Sequence, residues 1–421
     1  MRVLWSVNQA FNKLLSKIAF HIYLIRMNST EPRFRIRSID TIRGTIMIIM
    51  ALDHVRDFFH ISAFSADPLD PQSTTGVLFF TRWITHYCAP TFMLLSGISA
   101  YLAGQRRSAA ETSSFLLKRG LWLVLMEIVV MTFFLSFDLT YQTIFLAVFW
   151  ALGTSMITLG LAVRFFSPRT VLVIGLLLVL GHNMLDYVKV PENSSLDIIL
   201  SIFLTGNGRF YPMGGVTLAF LYVILPWAGI MLAGYGLGEL FRSSVALEKR
   251  RKVLITSGFV AIVLFLILRF VNKYGDPAPW TVHETGFQTF LSFLNVTKYP
   301  PSLLFTLVTQ GPVLILLALT ERVESQWTRI VTVYGKVPFF YFTVHFLIIH
   351  ICCAVAVLAS GYSWAQAMDP KLIFKFRPFE FGYELGWVYL IWIFLVALLY
   401  LPSKWYGQYK ERERKWWLSY L

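Results

Sequence analysis

The sequence predicts an all-α fold, a polytopic membrane helix bundle of about 10 transmembrane helices with both termini in the cytoplasm. Three observations carry this expectation. The 421 residues are 56% hydrophobic and only 14% charged, against roughly 25% charged in an ordinary soluble domain. The apolar residues fall in runs of roughly 20, the length of helix that crosses about 30 Å of hydrocarbon. Lys and Arg are spread unevenly over the connections between runs. A soluble chain this long would hold about three domains, whereas the runs leave one bundle. Strands are excluded as spanning elements, because open sheet edges cannot face lipid and a β-barrel would be written in alternating segments of about ten residues.

In chain order the runs cover about 42–60, 78–104, 115–137, 142–164, 170–187, 216–240, 253–271, 302–320, 337–359 and 384–401. The first is unbroken from Ile46 to Leu52 and then turns ionisable; the second contains Arg82, His86 and Pro90. Glu127 in the third run, with His182 and Asp186 in the fifth, suits hydrogen bonding between helices. Two connections on one side, about 188–215 and 272–301, hold Gly, Pro and aromatic residues rather than a low-complexity linker, and loops of that length are often functional. No internal repeat is visible, which counts mildly against a transporter built from related halves. The organisation expected is an N-terminal tail over 1–32, a membrane domain over 33–402 and a basic cytoplasmic tail over 403–421. Phe11, Leu14, Leu15, Ile18 and Ile22 recur at helical spacing with Lys13 and Lys17 between them, which suits an interfacial helix; a start at Met27 is the other reading.

Orientation follows from the loops. One set of connections, with Arg106, Arg107, Lys118, Arg119, Arg164, Arg169, Arg242, the 249–252 cluster, Arg322, Arg329, Lys336 and the C-terminal tail, holds nineteen Lys and Arg. The other set holds seven: Lys189, Arg209, Lys273, Lys298, Lys371, Lys375 and Arg377. The richer set belongs in the cytoplasm. The formal charge of +14 is thereby explained without a nucleic-acid partner. Cys88, Cys352 and Cys353 all lie inside apolar runs, so neither a disulfide framework nor a spaced zinc site is indicated.

A charge at mid-bilayer costs about 2.5–3.5 kcal/mol on insertion scales, so ionisable residues there need a reason. Asp53, His54, Arg56, Asp57 and His60 close the first run, with Asp53, Asp57 and His60 on one face. At about 1.5 Å per residue His54 lies about 10 Å, and His86 about 12 Å, below the outer surface, so the two imidazoles are expected to meet. His350 reaches a similar level, and His345 lies nearer the middle. Histidines from three helices would then share an outer-leaflet cavity, as a proton-handling site requires. A three-histidine metal site is the rival, but no histidine pair sits in a ligand motif, and no metal is expected.

Several segments, read in order, look familiar: Arg37-Ser-Ile-Asp-Thr-Ile-Arg-Gly44, Leu52-Asp-His-Val-Arg56, Phe80-Thr-Arg-Trp-Ile-Thr-His-Tyr-Cys-Ala-Pro90, Leu225-Pro-Trp-Ala-Gly229 with Gly234-Tyr-Gly236, Lys298-Tyr-Pro-Pro-Ser302, and Tyr334-Gly-Lys-Val-Pro338 through His345. Together they resemble bacterial relatives of the heparan-α-glucosaminide N-acetyltransferase catalytic domain, from residue 33 to about 400. The large family of membrane O-acyltransferases that modify surface polysaccharides is similar too, with Arg-Gly early in the first span and a catalytic histidine after nine intervening residues; counted from Arg43-Gly44, that residue is His54. The lysosomal enzyme differs there, with an amide at the position matching His54 and its own histidine further on, where His60 is the nearest candidate.

The resemblance implies an integral-membrane acyltransferase that moves an acetyl group from cytoplasmic acetyl-CoA to an extracytoplasmic glycan or lipid-linked sugar, with O- or N-transfer open. His54 would be the general base, Asp53 or Asp57 would orient it, and Arg82 or His86 would stabilise the oxyanion; an acetyl-histidine route is the alternative. Arg43, Arg56, Arg82, Lys298, Tyr299, His345 and His350 are the substrate-binding candidates, and Arg106, Arg107, Arg119 and the 249–252 cluster are candidates for the phosphates of the co-substrate. The expected surroundings are the lipid bilayer of a bacterial inner membrane, with a homo-oligomer left open. Buried His, Asp and Arg also mark ion pathways, so a proton-coupled transporter is the competing class, and a catalytically silent assembly partner is a third.

Overall fold

The computed structural model describes residues 36–421 except 189, 192–193, 206–208, 414, 416–417 and 419–421. The N-terminal segment expected to lie at the interface, and Lys189, fall outside the described residues. Helix α1, Arg37–Phe59, is buried on almost every side. Its companion runs from Gly76 to Gly104 in three parts, α2 (Gly76–Ile84), a 3₁₀ turn (Thr85–Tyr87) and α3 (Cys88–Gly104). Pro90 explains the break: it has no N–H to give the carbonyl of His86, four residues back, and the chain tightens there instead.

Next come α4 (Ala109–Met126), opened by a Ser108–Glu111 capping box, a π-turn over Glu127–Met131, and α5 (Thr132–Ser136). Helices α6 (Val148–Phe165) and α7 (Pro168–Gly181) follow. The buried Glu127 carboxylate accepts the backbone N–H groups of Phe149 at 2.5 Å and Trp150 at 3.0 Å, capping the orphan donors at the start of α6. After α8 (Ser195–Leu200) the chain continues through α9 (Leu225–Leu237), α10 (Leu247–Val271) and α11 (Gly286–Leu294). The remaining helices are α12 (Leu303–Leu319), α13 (Gln326–Gly335), α14 (Pro338–Ala359), α15 (Trp364–Ala367) and α16 (Leu385–Glu413). The tail expected from residue 403 begins as the last turns of α16.

Among the described residues, seven helices are long and apolar enough to cross a membrane: Ala109–Ser136, Val148–Phe165, Pro168–Tyr187, Leu247–Val271, Leu303–Arg322, Pro338–Ala359 and Leu385–Glu413. Ten were expected, and the other three are helical but fall short for visible reasons. Helix α1 contains Arg37, Asp40, Arg43, Asp53, Arg56 and Asp57. The Gly76–Gly104 rod is diluted by polar residues, and α9 has 13 residues.

The expectation of helix alone also needs correcting. β1 (Thr143–Leu146), β2 (Arg209–Met213) and β3 (Val216–Phe220) form a sheet of order β1-β3-β2. β1 lies parallel to β3 and β2 antiparallel to it. Gly214 and Gly215, at φ +55° and +94°, make the two-residue turn that such a hairpin needs. The runs expected to open at 142 and 216 therefore each begin as a strand, with helix only from Val148 and Leu225.

Small residues bring helix backbones together, the usual device where lipid offers no hydrophobic drive for association. A Cβ at Gly44 would sit 1.8 Å from the Val331 carbonyl oxygen, and one at Gly335 would sit 1.9 Å from that of Asp40. Gly97 with Gly234, Gly120 with Gly153 and Gly258 with Gly311 are close-packed in the same way. Helix α1 is thus held without slack against α13, with α14 and α16 on its flanks.

Candidate functional site

At the far end of α1 the spacing of Asp53, Arg56 and Asp57 places three charges along one helix edge. Arg56 Nη2 donates to Asp53 Oδ1 at 3.1 Å and to Asp57 Oδ1 at 2.6 Å. From α2, Arg82 Nη1 donates to both oxygens of Asp53, at 3.1 and 2.9 Å, and to Thr85 Oγ1 at 2.9 Å. Asp53 is 8% exposed, so two guanidiniums neutralise a carboxylate taken out of water, while the Asp57 carboxylate stays partly exposed. No hydrogen bond from Asp53 or Asp57 reaches His54 among the described residues; both carboxylates serve the arginines. Arg82 keeps Nη2 and Nε without a partner among the described residues.

His54 turns to another side. Its Nδ1 lies 2.7 Å from His345 Nε2 on α14, and its ring packs on Phe346 at a centroid distance of 4.1 Å. His345 is 0% exposed, and its Nδ1 lies 3.0 Å from the Tyr341 carbonyl oxygen one helical turn back. His54 is only partly buried, and its Nε2 has no partner among the described residues.

His86 does not meet His54 as expected. It is 2% exposed, edge-on to Phe305 of α12 at 5.4 Å, with no hydrogen-bond partner at either ring nitrogen among the described residues. Depth along two helices does not set rotation about their axes: His54 faces α14 and His86 faces α12. The two rings share surroundings instead, since Asp53, Arg82 and Lys298 are electrostatic neighbours of both.

Lys298 and Tyr299, in the segment before α12, point inward rather than to a headgroup layer. Lys298 is 8% exposed, with its ammonium 5.0 Å from the Tyr299 ring centre. Tyr299 Oη lies 3.4 Å from Tyr222 Oη. Burial works to raise the Tyr299 phenol, but Lys298 and Arg82 outweigh it and hold it below the usual tyrosine range. Tyr222 is a member of this cluster that sequence reasoning passed over, because it follows β3 in what reads as a continuous apolar span.

Two candidates lie elsewhere. Arg43 is eleven residues before His54, about 16 Å along the axis, and donates to Ser99 Oγ at 2.7 Å and to the Gly335 carbonyl at 3.3 Å. His350 has Nδ1 2.9 Å from the Phe134 carbonyl and Nε2 2.6 Å from that of Lys375, stacks on Phe137, and ties α5 to the 368–383 segment. Of the cations considered for the co-substrate, Arg250 is buried in an ion pair with Glu321, whereas Arg106, Arg107, Lys249 and Lys252 are exposed. Near that end a polar cleft of about 300 Å³ is lined by Tyr101, Gly104, Gln105, Tyr235 and Arg242. Beside the histidine end an apolar cleft of about 550 Å³ is lined by Leu52, Val77, Phe80, Ile84, Phe287 and Tyr389 among others.

The described elements thus bring an imidazole with one unpartnered ring nitrogen, a guanidinium with unpartnered donors and a buried ammonium into a mostly helical bundle with candidate membrane-spanning helices. Among proteins of curated function, none matches this chain. The family described as heparan-alpha-glucosaminide N-acetyltransferase, catalytic, matches residues 35–269, which contain Asp53, His54, Arg56, Asp57, Arg82 and His86 and end before Lys298 and His345. That match spans more than half of the sequence, and the chain belongs to this family of membrane-bound acetyltransferases.

Proposed function

We propose that this protein transfers an acetyl group from acetyl-CoA, taken from the cytoplasmic side, to a hydroxyl or amine of an extracytoplasmic glycan or lipid-linked sugar, in a bacterial inner membrane with both chain termini in the cytoplasm. The observation that carries the reading is His54: a partly exposed imidazole whose Nε2 has no partner among the described residues, with Arg82 and Lys298 among its electrostatic neighbours, in a chain of this family. As the acceptor oxygen or nitrogen bonds to the thioester carbonyl carbon, its proton passes to His54; the C–S bond then breaks and the thiolate of coenzyme A takes the proton. A positioned base contributes about 10²- to 10⁴-fold. The donors of Arg82 that have no partner among the described residues, on a side chain 13% exposed, suit the oxyanion that forms between these steps.

The two ends of α1 fit a reaction supplied from opposite faces. Exposed Arg106, Arg107, Lys249 and Lys252 suit the phosphates of the nucleotide thioester. The apolar cleft that includes Leu52, the residue before Asp53, suits the chain of a lipid-linked acceptor approaching from within the bilayer. The test is incubation of purified protein with labelled acetyl-CoA, comparing wild type with His54→Ala of unchanged fold. Thioester turnover is expected in the first and lost in the second; equal turnover in both overturns the assignment of His54.

A further inference from the structure

His54 can act as a base through Nε2 only if its own proton resides on Nδ1. The contacts behind the ring decide where that proton is. His345 Nδ1 faces the Tyr341 carbonyl at 3.0 Å, with the Phe342 carbonyl also beside it. A carbonyl oxygen only accepts, so His345 carries its proton on Nδ1, and in a neutral ring its Nε2 is then the lone-pair nitrogen. That nitrogen is 2.7 Å from His54 Nδ1, which must be the donor. The proton of His54 is thereby held on the His345 side, and Nε2 is left with its lone pair and, among the described residues, no partner.

Both reversed arrangements meet an obstacle. A neutral His345 protonated on Nε2 would set a bare Nδ1 against the Tyr341 carbonyl, two acceptors at 3.0 Å. A doubly protonated His345 would place a cation at 0% exposure, between the Tyr341 and Phe346 rings at 5.4 and 4.7 Å. No carboxylate bonds to it among the described residues, and the charged neighbours of the adjoining His54 ring already include Arg82 and Lys298 against Asp53. Burying a further unpaired charge there is unfavourable.

We propose that His345 is a positioning residue for His54, in the place that a carboxylate holds in more familiar base dyads, and not a substrate ligand. The inference rests on reading His54 as the base for acetyl transfer, but the tautomer belongs to the resting protein and can be read without turnover. When the acceptor proton arrives at Nε2, the resulting imidazolium keeps its Nδ1–H bond to His345, so the ring does not reorient between accepting the proton and passing it to the thiolate.

The test uses the whole protein in lipid nanodiscs, labelled with ¹⁵N-histidine and examined by solid-state NMR, with the His54 signals identified by their loss in His54→Asn. Wild type is expected to show His54 protonated on Nδ1. In His345→Leu that tautomer is expected to be lost, with kcat lowered about 10²-fold or more and the KM for acetyl-CoA changed less than about threefold. His345→Gln, whose amide oxygen can accept the Nδ1 proton, is expected to restore the tautomer and most of the turnover. Nε2-protonated His54 in wild type, or an unaltered tautomer in His345→Leu, overturns the proposal. A wild type with the Nδ1 tautomer but no acetyl transfer would leave this inference standing and remove the acyltransferase reading alone.

Discussion

Asp53→Asn isolates charge from shape at the junction of α1 and α2. The side chains are isosteric, so the change is the loss of a negative charge and the replacement of one acceptor by a donor aimed at a guanidinium. Asp53 receives Arg56 at 3.1 Å and Arg82 at 3.1 and 2.9 Å. Removing one partner of a buried ion pair destabilises by about 3–5 kcal/mol, chiefly because the other charge is left uncompensated. Arg56 retains Asp57 at 2.6 Å, so the damage falls on Arg82 and the lower end, about 3 kcal/mol, is expected. Arg82→Met should be similar, since Asp53 would keep Arg56 alone. The double variant leaves neither charge stranded, and it should be more stable than the sum of the single effects predicts by about 2 kcal/mol. The measurement is reversible unfolding in mixed micelles of all four proteins. Effects that add within about 0.5 kcal/mol, or an Asp53→Asn variant indistinguishable from wild type, would refute the reasoning.

Gly44→Ala places a methyl group 1.8 Å from the Val331 carbonyl oxygen. The expected destabilisation is about 1–3 kcal/mol, and because His54 rides on the same helix, thioester turnover should fall on the order of 10²-fold; an unchanged thermal midpoint and rate would contradict the tight α1–α13 contact. Arg269→Met removes the donor to the carbonyls of Phe293, Ala278, Ser292 and Asn295, at 2.6–3.0 Å. With about 1–3 kcal/mol per buried group left unsatisfied, limited proteolysis should open the 276–295 segment first, and equal protection in variant and wild type would count against that role.

The helices were legible because each is an apolar run longer than a strand can use, and the ionisable residues were legible because they interrupt such runs. Strands β1 and β3 were not: Thr143–Leu146 and Val216–Phe220 are short apolar runs next to helical ones, and periodicity cannot separate the two. The Gly214-Gly215 pair between aromatic-rich segments was the available hairpin signal. At the site, the residue types and their approximate depth could be read, but not which way each ring turns. His86 was expected against His54 and faces Phe305, whereas the partner of His54 is His345, whose orientation follows from the i, i+4 bond to Tyr341. Arg43 and His350 were legible as polar groups in apolar runs, but not their partners: Arg43 bonds Ser99 and the Gly335 carbonyl, and His350 bonds the carbonyls of Phe134 and Lys375.

Two cations of the 368–383 segment direct their hydrogen bonds, among the described residues, to backbone oxygens, much as a metal ion is held inside a crown ether. The Lys375 ammonium donates to the carbonyls of Asp369, Pro370 and Leu372 at 3.0–3.3 Å, and Arg377 donates to those of His60 and Pro378 at 2.9 and 2.5 Å. Along with Lys298 they are buried, so three of the seven basic residues counted in the less basic loops are withheld from the protein surface, and a tally of letters overstates how many cations that set of loops exposes.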